Sequence, residues 1–596
     1  MARNQVESKN PLKFVENGAL ILSDKKGVQT LVFAAKKFGV RHVIISPGSR
    51  NAPLTISFKR SGWFTCHSMP DERAAGFYGL GMALRLREPV ILICTSGSAA
   101  ANYLPAITEA FFNRVPLMAV TADRPLSWTD QGNGQTIRQE KLFSNHIRHE
   151  FSLISEPKNA EEDWQNRRLI SESFNTAICL NPGPVHINVP LFEPLYNTEE
   201  VSEKSENMRF YRSELFSNPI ASAAVSDLAR LVSEKEKVMV LVGQHHHDPE
   251  LLEILAKWSE LPNLVTLTET TGNINIPGSI DTIDRIIMPL EKTGAISNYL
   301  PDVLITIGGY VISKKLKNLI RSHKPQEHWH IHLYDTGLDT YMSLTREINA
   351  NPVVFLEKTL ETINPKKSSS YSSDWKMMEK FAEEAHRKYL KTCPFSDFKA
   401  FELIDRFLID QNLTLHLSNS TPIRYIQLYG LRENITYHCN RGTSGIDGCT
   451  STALGWAKAS ENEKVLLISG DMSFVYDSNA FWNRSLPENF KAVVINNNGG
   501  GIFRIIQGAS TIEEREEYFE AHHEVDLEHL TRAYGLDYFY LNSAENSEHV
   551  LAEFWKSIGP AVLEIKTPTE RNDQLLMEYF NFIAEHFEKV RATAQS

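Results

Sequence analysis

The chain has 596 residues, of which 42% are apolar and 23% are charged; this composition excludes a disordered protein and suits three or four domains of roughly 150 residues each. The 62 basic and 73 acidic side chains give a net charge of −11, which is the wrong sign for a non-specific nucleic-acid binder. Six cysteines, none in CxxC spacing, argue against both a disulfide framework and a zinc ribbon.

The first residues and the lengths of the apolar runs indicate in which cellular compartment the protein is expected. The first ten residues, MARNQVESKN, are polar and lack the apolar region of a secretory signal. No apolar run reaches the roughly 18 residues that a membrane-spanning helix requires. We therefore expect a cytoplasmic protein with reduced cysteines, no membrane span and no nucleic-acid partner.

Short apolar runs that end in small or polar residues alternate with helix-like stretches in the first third of the chain. These runs are residues 42–46, 89–97, 115–123 and 184–190, and residues 71–86 form a helix-like stretch. Nearly continuous β-branched runs in such an alternation predict a parallel sheet that helices cover on both faces.

The alternation restarts twice, after two polar breaks. The first break, residues 197–214, is charged and is interpreted as a linker, and the second, residues 364–374, is rich in serine and lysine. Strand-like runs follow the first break at 237–243, 263–267, 302–309 and 328–335, and the second at 413–420, 464–471, 491–498 and 561–566, before a helix-like end at 572–590. The sequence therefore predicts an α/β protein of three consecutive units with mainly parallel sheets covered by helices, in domains 1–196, 197–370 and 371–596.

Ligands of open α/β sheets bind beyond the carboxyl ends of the strands. This rule directs attention to the loops SPGSR, TSGSAA, TADRP, SNSTPIR, SGDMS and NNNGGGIF. The chain has no GxxxxGK[ST] loop and no convincing GxGxxG after a strand. P-loop and Rossmann nucleotide binding therefore lack support.

Two neighbouring loops of the third unit carry oxygen ligands. Asp471 ends the run KVLLISGD where a helix can begin, and Asn497 lies in NNNGGG after the next run. A carboxylate, an amide oxygen and a backbone carbonyl, here that of Gly499, are hard ligands that suit Mg²⁺, and with the helix N-terminus they would anchor a diphosphate. Ordinary strand-end turns use the same residue types and are the alternative interpretation.

These loops resemble the diphosphate and metal motif of thiamine-diphosphate (ThDP) enzymes, in which a GD pair precedes an NN pair by one further strand. The usual third residue of the motif is glycine, whereas this chain has Met472. The resemblance implies that the cofactor is bound by Gly470, Asp471, Asn497 and Gly499, the last three through Mg²⁺ or Mn²⁺.

Glu72 also carries the resemblance. It opens the helix-like stretch after HSMPD, where a glutamate favoured by the helix dipole is the alternative. In ThDP enzymes a glutamate at this place bonds to N1′ of the aminopyrimidine and promotes the imino tautomer, which removes the thiazolium C2 proton. Such a carboxyl in an apolar cleft needs a raised pKa. The resemblance covers essentially the whole chain and implies the three-domain architecture of decarboxylase-type ThDP enzymes.

Further motifs are similar to those of the ThDP-dependent synthases of menaquinone biosynthesis: SPGSRNAPL, TADRP, GNGQTIRQ, SNSTPIR, NRGTSGIDG and NNNGGGIF. These transferases decarboxylate 2-oxoglutarate and add the succinyl carbanion equivalent to isochorismate in a 1,4 fashion, with loss of CO2. Both substrates are dicarboxylates, which suit planar, permanently charged guanidinium groups. The candidate loops supply Arg50, Arg124, Arg424 and Arg441; a surface ion pair is the alternative for each.

Other residues complete the site that the resemblance implies. Substrate contacts are expected from Ser49, Gln135, Ser420 and, in the middle unit, Lys314, of which the lysine is the weakest candidate because other lysines lie beside it. We expect catalysis to involve Glu72, Arg50, Gln135, Ser420, Arg424 and Arg441. Ile446 matches the apolar residue that wedges beneath the cofactor, with a core isoleucine as the alternative. Ser473 can bond a phosphate oxygen or cap the helix after Asp471.

Two segments outside these motifs have candidate roles. The triple histidine 245–247 is a poor tetrahedral cage because adjacent side chains point different ways. The charged segment 511–525 is either a solvated helix or a mobile lid over the cofactor.

The resemblance further implies a homodimer or homotetramer whose active sites are shared between chains, the first unit of one chain meeting the third unit of another. Two alternatives remain at this point. One is another ThDP-dependent 2-oxo-acid decarboxylase or carboligase, and the other is a non-catalytic ThDP-binding protein.

Overall fold

The computed structural model describes residues 19–179, 181–202, 208–214, 220–334, 337–364, 368–506 and 508–595. The polar N-terminal stretch MARNQVESKN and parts of both predicted breaks lie outside these residues. The chain divides into two compact units, of which the first comprises Met1–Leu215, Leu454–Ser460 and Asn479–Leu486, and the second comprises the rest. None of the helices in the described ranges has the length and apolar character needed to cross a membrane.

The first unit is built on a parallel sheet. Its strands are β1 (Ala19–Ser23), β2 (His42–Ile45), β3 (Thr65–Ser68), β4 (Val90–Cys94), β5 (Leu117–Asp123), β6 (His149–Ser152), β7 (Val185–Pro190) and β8 (Thr198–Ser202). Its helices are α1 (Lys26–Lys37), α2 (Ala52–Arg60), α3 (Glu72–Leu86), α4 (Ser98–Asn102), α5 (Leu104–Asn113) and α6 (Ala160–Ile178). The strand order β3-β2-β4-β5-β7-β6 is parallel throughout. Every residue of β4 and β5 is buried, as continuous apolar strands are when helices cover both faces.

The second unit contains two more parallel sheets, and its first part carries a five-stranded one. The strands are β9 (Val238–Val242), β10 (Leu264–Thr268), β11 (Val303–Ile307), β12 (Glu327–His332) and β13 (Arg346–Asn349). The helices are α7 (Ser222–Glu234), α8 (Pro249–Trp258), α9 (Ile283–Lys292), α10 (Lys314–Ser322) and α11 (Pro352–Leu360). The strand order is β10-β9-β11-β12-β13.

The remainder of the second unit carries a six-stranded parallel sheet in the order β15-β14-β16-β17-β19-β18. The strands are β14 (Leu413–Leu417), β15 (Ile435–Cys439), β16 (Val465–Gly470), β17 (Phe490–Asn496), β18 (Asp537–Leu541) and β19 (Ala561–Lys566). The helices are α12 (Tyr371–Leu390), α13 (Asp397–Leu408), α14 (Thr421–Ile426), α15 (Cys449–Ala459), α16 (Asp471–Tyr476), α17 (Ile502–Ile505), α18 (Leu527–Ala533), α19 (Ser547–Lys556) and α20 (Asn572–Gln595). Residues of α15 from Leu454 onward belong to the first unit. Three parallel sheets with flanking helices confirm the predicted α/β fold class.

Parts of the two predicted breaks form regular secondary structure. The first, residues 197–214, begins with β8, which pairs antiparallel with β1 and places Val201 opposite Leu20. Val201 is the one buried residue of that strand, so the segment lacks the apolar pattern from which a strand can be predicted. The second break leads directly into α12. The predicted domain limits stay predictions.

Strand order also explains where ligands can bind. In the third sheet the chain moves from β14 outward to β15 and then returns to the other side of β14 as β16. Such a reversal leaves a crevice between the loops that follow β14 and β16. These loops begin at Ser418 and at Gly470, which a hydrogen bond from the Gly470 N–H to the Ser418 Oγ joins at 3.2 Å.

Candidate active site

The predicted metal ligands lie at one edge of the third sheet. β16 ends at Gly470 and β17 at Asn496, and the two strands are parallel with Gly470 opposite Ile495. Asp471 therefore emerges beside the Asn497 loop, and its Oδ2 accepts a hydrogen bond from the Gly499 N–H at 2.9 Å. The structure thus brings together the two loops that the sequence pairs.

Asp471 is a buried carboxylate, with 2% of its surface exposed. Its Oδ1 accepts the N–H of Met472 at 2.7 Å, and its Oδ2 lies 3.5 Å from Nε2 of His523. Among the described residues no lysine or arginine pairs with it. A buried carboxylate needs a compensating positive charge, so the environment of Asp471 fits a bound cation.

Asn497 is also buried, and its amide has a defined orientation. Its Nδ2 donates to the Oδ2 of Asp397 at 2.8 Å. The amide oxygen consequently points away from Asp397 and can serve as a ligand. With the Asp471 carboxylate it forms the hard oxygen donor set that Mg²⁺ or Mn²⁺ takes in proteins.

Residues 497–501 form the metal loop. The glycines of this loop allow the segment 511–525 to approach it. Gly499 has a φ of +146°, and a Cβ on it would lie 2.6 Å from the carbonyl oxygen of Glu520. The Gly500 N–H donates to that same carbonyl at 2.6 Å. The Glu520 side chain is 1% exposed and accepts two hydrogen bonds from Arg504 at 2.8 and 2.9 Å. A single π-helical turn replaces the predicted solvated helix here, and mobility of the segment stays a prediction.

Ser473 and Ile446 contact each other. The Ser473 Oγ donates to the Ile446 carbonyl at 2.8 Å and does not cap α16. The hydroxyl thereby links the loop before α15 to the first turn of α16. Phosphate binding by Ser473 and the wedge role of Ile446 stay predictions.

Arg424, Arg441 and Ser420 cluster where β14 and β15 end. Arg424 donates from Nη1 to the Ser420 carbonyl at 2.6 Å, and Arg441 donates from Nη1 to the Asn419 Oδ1 at 2.7 Å. Ser420 has a φ of +76°, a left-handed conformation that costs free energy in a residue other than glycine. Burial and the neighbouring Arg441 lower the pKa of the Arg424 guanidinium.

The middle sheet contributes charged residues that the sequence analysis missed. Glu269 is fully buried, and its carboxylate accepts the backbone N–H groups of Ile312 and, at 2.6 Å, of Ser313. Burial raises the pKa of Glu269 to about 7, an effect that these hydrogen bonds oppose. Lys314 is exposed at the start of α10. Lys317, one turn further, is half-buried, and its pKa is lowered by burial and by Arg441 while Glu269 opposes the shift.

In the first unit, Glu72 opens α3 as the sequence predicts. Asp71 caps the helix through a hydrogen bond from the Ala74 N–H at 3.0 Å, and its Oδ2 accepts Nδ2 of Asn479 at 2.8 Å. Burial and the adjacent Asp71 raise the pKa of Glu72, against its own backbone hydrogen bond. The carboxyl therefore keeps a proton to higher pH than an exposed glutamate does.

Arg50 and Arg124 interact electrostatically in the same unit. Arg50 is 5% exposed and donates to the Leu191 carbonyl at 3.0 Å and to Glu193 at 3.0 Å. Burial, and next the positive charge of Arg124, lower its pKa. Ser49 and Gln135 are exposed, and the backbone of Gln135 lies about 3.2 Å from the Cβ position of Gly97.

Three of the four predicted arginines share one property. In the parts of the chain that the structure describes, Nε is buried without a hydrogen-bond partner in Arg50, Arg124 and Arg441. Buried donors are nearly always satisfied in native proteins. An anionic ligand would supply the missing acceptors.

The triple histidine does not act as a unit. His245 and His246 come within 4.8 Å of the Asp248 carboxylate through their ligand atoms. Asp248 at the same time caps α8 through its Oδ1. His246 is exposed, whereas His245 and Asp248 are half-buried.

Two segments match families of known proteins. Residues 25–142 match the family described as thiamine pyrophosphate enzyme, N-terminal TPP binding domain. Residues 420–565 match the C-terminal TPP binding domain of thiamine pyrophosphate enzymes. Thiamine pyrophosphate is ThDP, and the two segments contain Glu72, Asp471 and Asn497.

The chain is similar over nearly its whole length to curated proteins named 2-succinyl-5-enolpyruvyl-6-hydroxy-3-cyclohexene-1-carboxylate synthase. It is 42% identical to that of Flavobacterium psychrophilum over 560 residues, 93% of this chain and 98% of the relative. It is 39% identical to that of Porphyromonas gingivalis over 576 residues, 94% and 98% of the two chains. It is 34% identical to that of Bacteroides thetaiotaomicron over 580 residues, 94% and 99% of the two chains.

Proposed function

Because the chain belongs to the family of 2-succinyl-5-enolpyruvyl-6-hydroxy-3-cyclohexene-1-carboxylate synthases, we propose that it catalyses the reaction for which these relatives are named. It would decarboxylate 2-oxoglutarate with ThDP and a divalent cation, Mg²⁺ or Mn²⁺. It would then add the succinyl carbanion equivalent to isochorismate, in the pathway to menaquinone, with CO2 as the second product.

The observation that carries this proposal is a set of arginines near strand ends, of which Arg50 is buried and Arg124, Arg424 and Arg441 are half-buried. Arg50, Arg124 and Arg441 each hold a buried Nε without an acceptor among the described residues, and Arg424 lies beside Arg441. Guanidinium groups bind carboxylates in a planar, bidentate geometry. Two dicarboxylate substrates would use several such groups, whereas a pyruvate-specific enzyme needs fewer cations.

Different residues of the chain would bind the cofactor and activate it. Bound ThDP supplies the electron sink that decarboxylation of a 2-oxo acid requires. Asp471, Asn497 and Gly499 would hold the cation, and the cation would hold the diphosphate. Because burial raises the pKa of Glu72, its carboxyl keeps a proton to higher pH than an exposed glutamate and can share it with the aminopyrimidine ring.

Substrate preference tests the proposal against another decarboxylase or carboligase. With ThDP and Mg²⁺ present, kcat/KM for 2-oxoglutarate should exceed that for pyruvate by at least about 100-fold, because pyruvate lacks the second carboxylate and leaves buried donors unpaired. CO2 release measures both reactions. A preference for pyruvate would favour the other carboligases, and ThDP binding without turnover of either acid would favour a non-catalytic protein.

Replacing Arg424 should reduce turnover without affecting the cofactor. We expect Arg424→Ala to cost about 2–5 kcal/mol in kcat/KM, because a buried charge pair with substrate is lost. ThDP affinity, measured by calorimetry, should be nearly unchanged. Arg406→Ala is the matched control, since Arg406 is exposed and pairs with Glu548. Equal losses in substrate and cofactor affinity would indicate a structural role for Arg424.

We also propose that each active site is shared between two chains of a homodimer or homotetramer. The family resemblance supports this, and Glu72 and Asp471 lie in different units of the chain. Mixing Glu72→Gln with Asp471→Ala under subunit exchange should give about half mixed dimers and restore about a quarter of all sites. Mass spectrometry confirms the exchange. Confirmed mixed dimers without regained activity would reject the shared site.

A further inference from the structure

Asp397 is a buried acid next to the metal loop that none of the motifs includes. It is the first residue of α13 and is 1% exposed. Its backbone N–H donates to the Oδ1 of Asn572 at 3.0 Å. This contact fixes the start of α13 against the start of α20, so the carboxylate has a defined position.

Both carboxylate oxygens of Asp397 have partners. Oδ1 accepts the hydroxyl of Thr567 at 2.5 Å, and Oδ2 accepts Nδ2 of Asn497 at 2.8 Å. Because both oxygens are used within the protein, Asp397 is poorly placed to be a metal ligand itself. Its contact with Asn497 instead determines which end of that amide is presented to the loop.

The orientation of an amide matters at a cation site. An Asn side chain has a donor end and an acceptor end of nearly the same shape, and only the oxygen can bind a metal ion. An ionised carboxylate accepts hydrogen bonds and cannot donate them, so it selects the NH2 end. Both Asp397 oxygens act as acceptors in the structure, Oδ1 for the Thr567 hydroxyl and Oδ2 for the Asn497 amide.

We propose that Asp397 is a positioning residue that holds the Asn497 amide with its oxygen directed to the metal ion. This inference rests on the proposed role of Asn497 as a metal ligand. Residues that orient metal ligands commonly change metal affinity by 10- to 100-fold when they are replaced.

The test measures the Mg²⁺ concentration that gives half-maximal ThDP binding, by calorimetry on the full chain without substrates. Asp397→Ala should raise this concentration by about 10- to 100-fold, and excess Mg²⁺ should restore ThDP binding. Asp397→Asn keeps the volume and one acceptor oxygen, with its amide able to donate to the Thr567 hydroxyl. Asp397→Asn should raise the half-maximal Mg²⁺ concentration only several-fold. If Asp397→Ala does not fold, this smaller rise is the result that tests the proposal.

Asp405→Ala is the matched control. Asp405 is a buried acid of the same helix that pairs with Arg432 and accepts its Nε at 3.0 Å. The variant should lose stability without a change in the Mg²⁺ requirement. Equal Mg²⁺ requirements for Asp397→Ala, Asp405→Ala and the wild type would overturn the positioning role.

The readout separates this inference from the proposed reaction. A wild-type protein that binds ThDP with Mg²⁺ but does not turn over isochorismate would contradict the reaction and leave the Asp397 comparison decisive. A wild-type protein whose ThDP binding does not depend on a divalent cation would overturn both the metal site and the role of Asp397.

Discussion

Asp471→Ala is expected to abolish Mg²⁺-dependent binding of ThDP while the chain keeps its fold. The carboxylate is 2% exposed and has no lysine or arginine partner among the described residues. Removing a direct ligand should cost more than removing a residue that orients one, so we expect affinity for ThDP in Mg²⁺ to fall by more than about 100-fold.

Calorimetry with ThDP at fixed Mg²⁺ measures the effect, and thermal unfolding shows whether the fold is kept. Loss of a buried carboxylate that has no lysine or arginine partner among the described residues should leave stability unchanged or higher in the absence of metal. The Asp405→Ala variant again serves as the control for loss of a buried acid. Unchanged affinity for ThDP in Asp471→Ala would contradict the metal site.

Glu72→Gln, unlike Asp471→Ala, should still bind ThDP but should lose turnover. Glutamine keeps the size of the side chain and can still form a hydrogen bond, but it cannot share a proton with the ring nitrogen. General acid–base groups contribute about 100- to 10,000-fold to rates, and we expect a fall in kcat of that order. Burial and Asp71 raise the pKa of Glu72, which suits this role.

The control for Glu72→Gln is Glu88→Gln in the same unit. Glu88 pairs with Arg41 near the surface, 2.7 Å from its Nε, and its replacement should leave both ThDP affinity and kcat unchanged. ThDP affinity measured on Glu72→Gln separates binding from activation. A variant with kcat near that of the wild type would reject Glu72 as the activating residue.

The sequence alone could predict the sheets and the proximity of the Asp471 and Asn497 loops because both depend on local pattern. Continuous apolar runs such as β4 and β5 identify buried parallel strands. Asp471 and Asn497 directly follow consecutive strands that are neighbours in the sheet, so topology brings them together.

Other parts of the site could not be predicted because they depend on distant contacts. Asp397 lies 100 positions before Asn497 and looks in the sequence like an ordinary residue at the start of a helix. Glu269 reaches the α10 N-terminus only through the packing of the middle sheet. The strand β8 has a single buried residue, so its sequence is typical of a linker.

The segment 511–525 shows a third kind of difference. Its composition is that of a solvated helix, but Glu520 is buried against Arg504 and its carbonyl accepts the Gly500 N–H. Only the glycines of the metal loop permit this approach. A glutamate is normally expected at the surface, so the sequence does not indicate that Glu520 is buried. A buried acid can be predicted only when its partner is known.

Consumption of isochorismate tests the central claim most directly. The purified protein with ThDP and Mg²⁺ is given 2-oxoglutarate and isochorismate together, and each alone, while isochorismate loss and CO2 release are followed. We predict that isochorismate disappears only when 2-oxoglutarate is present, with one CO2 released for each molecule consumed. The contradicting result would be CO2 release from 2-oxoglutarate at the same rate with and without isochorismate, while isochorismate is not consumed.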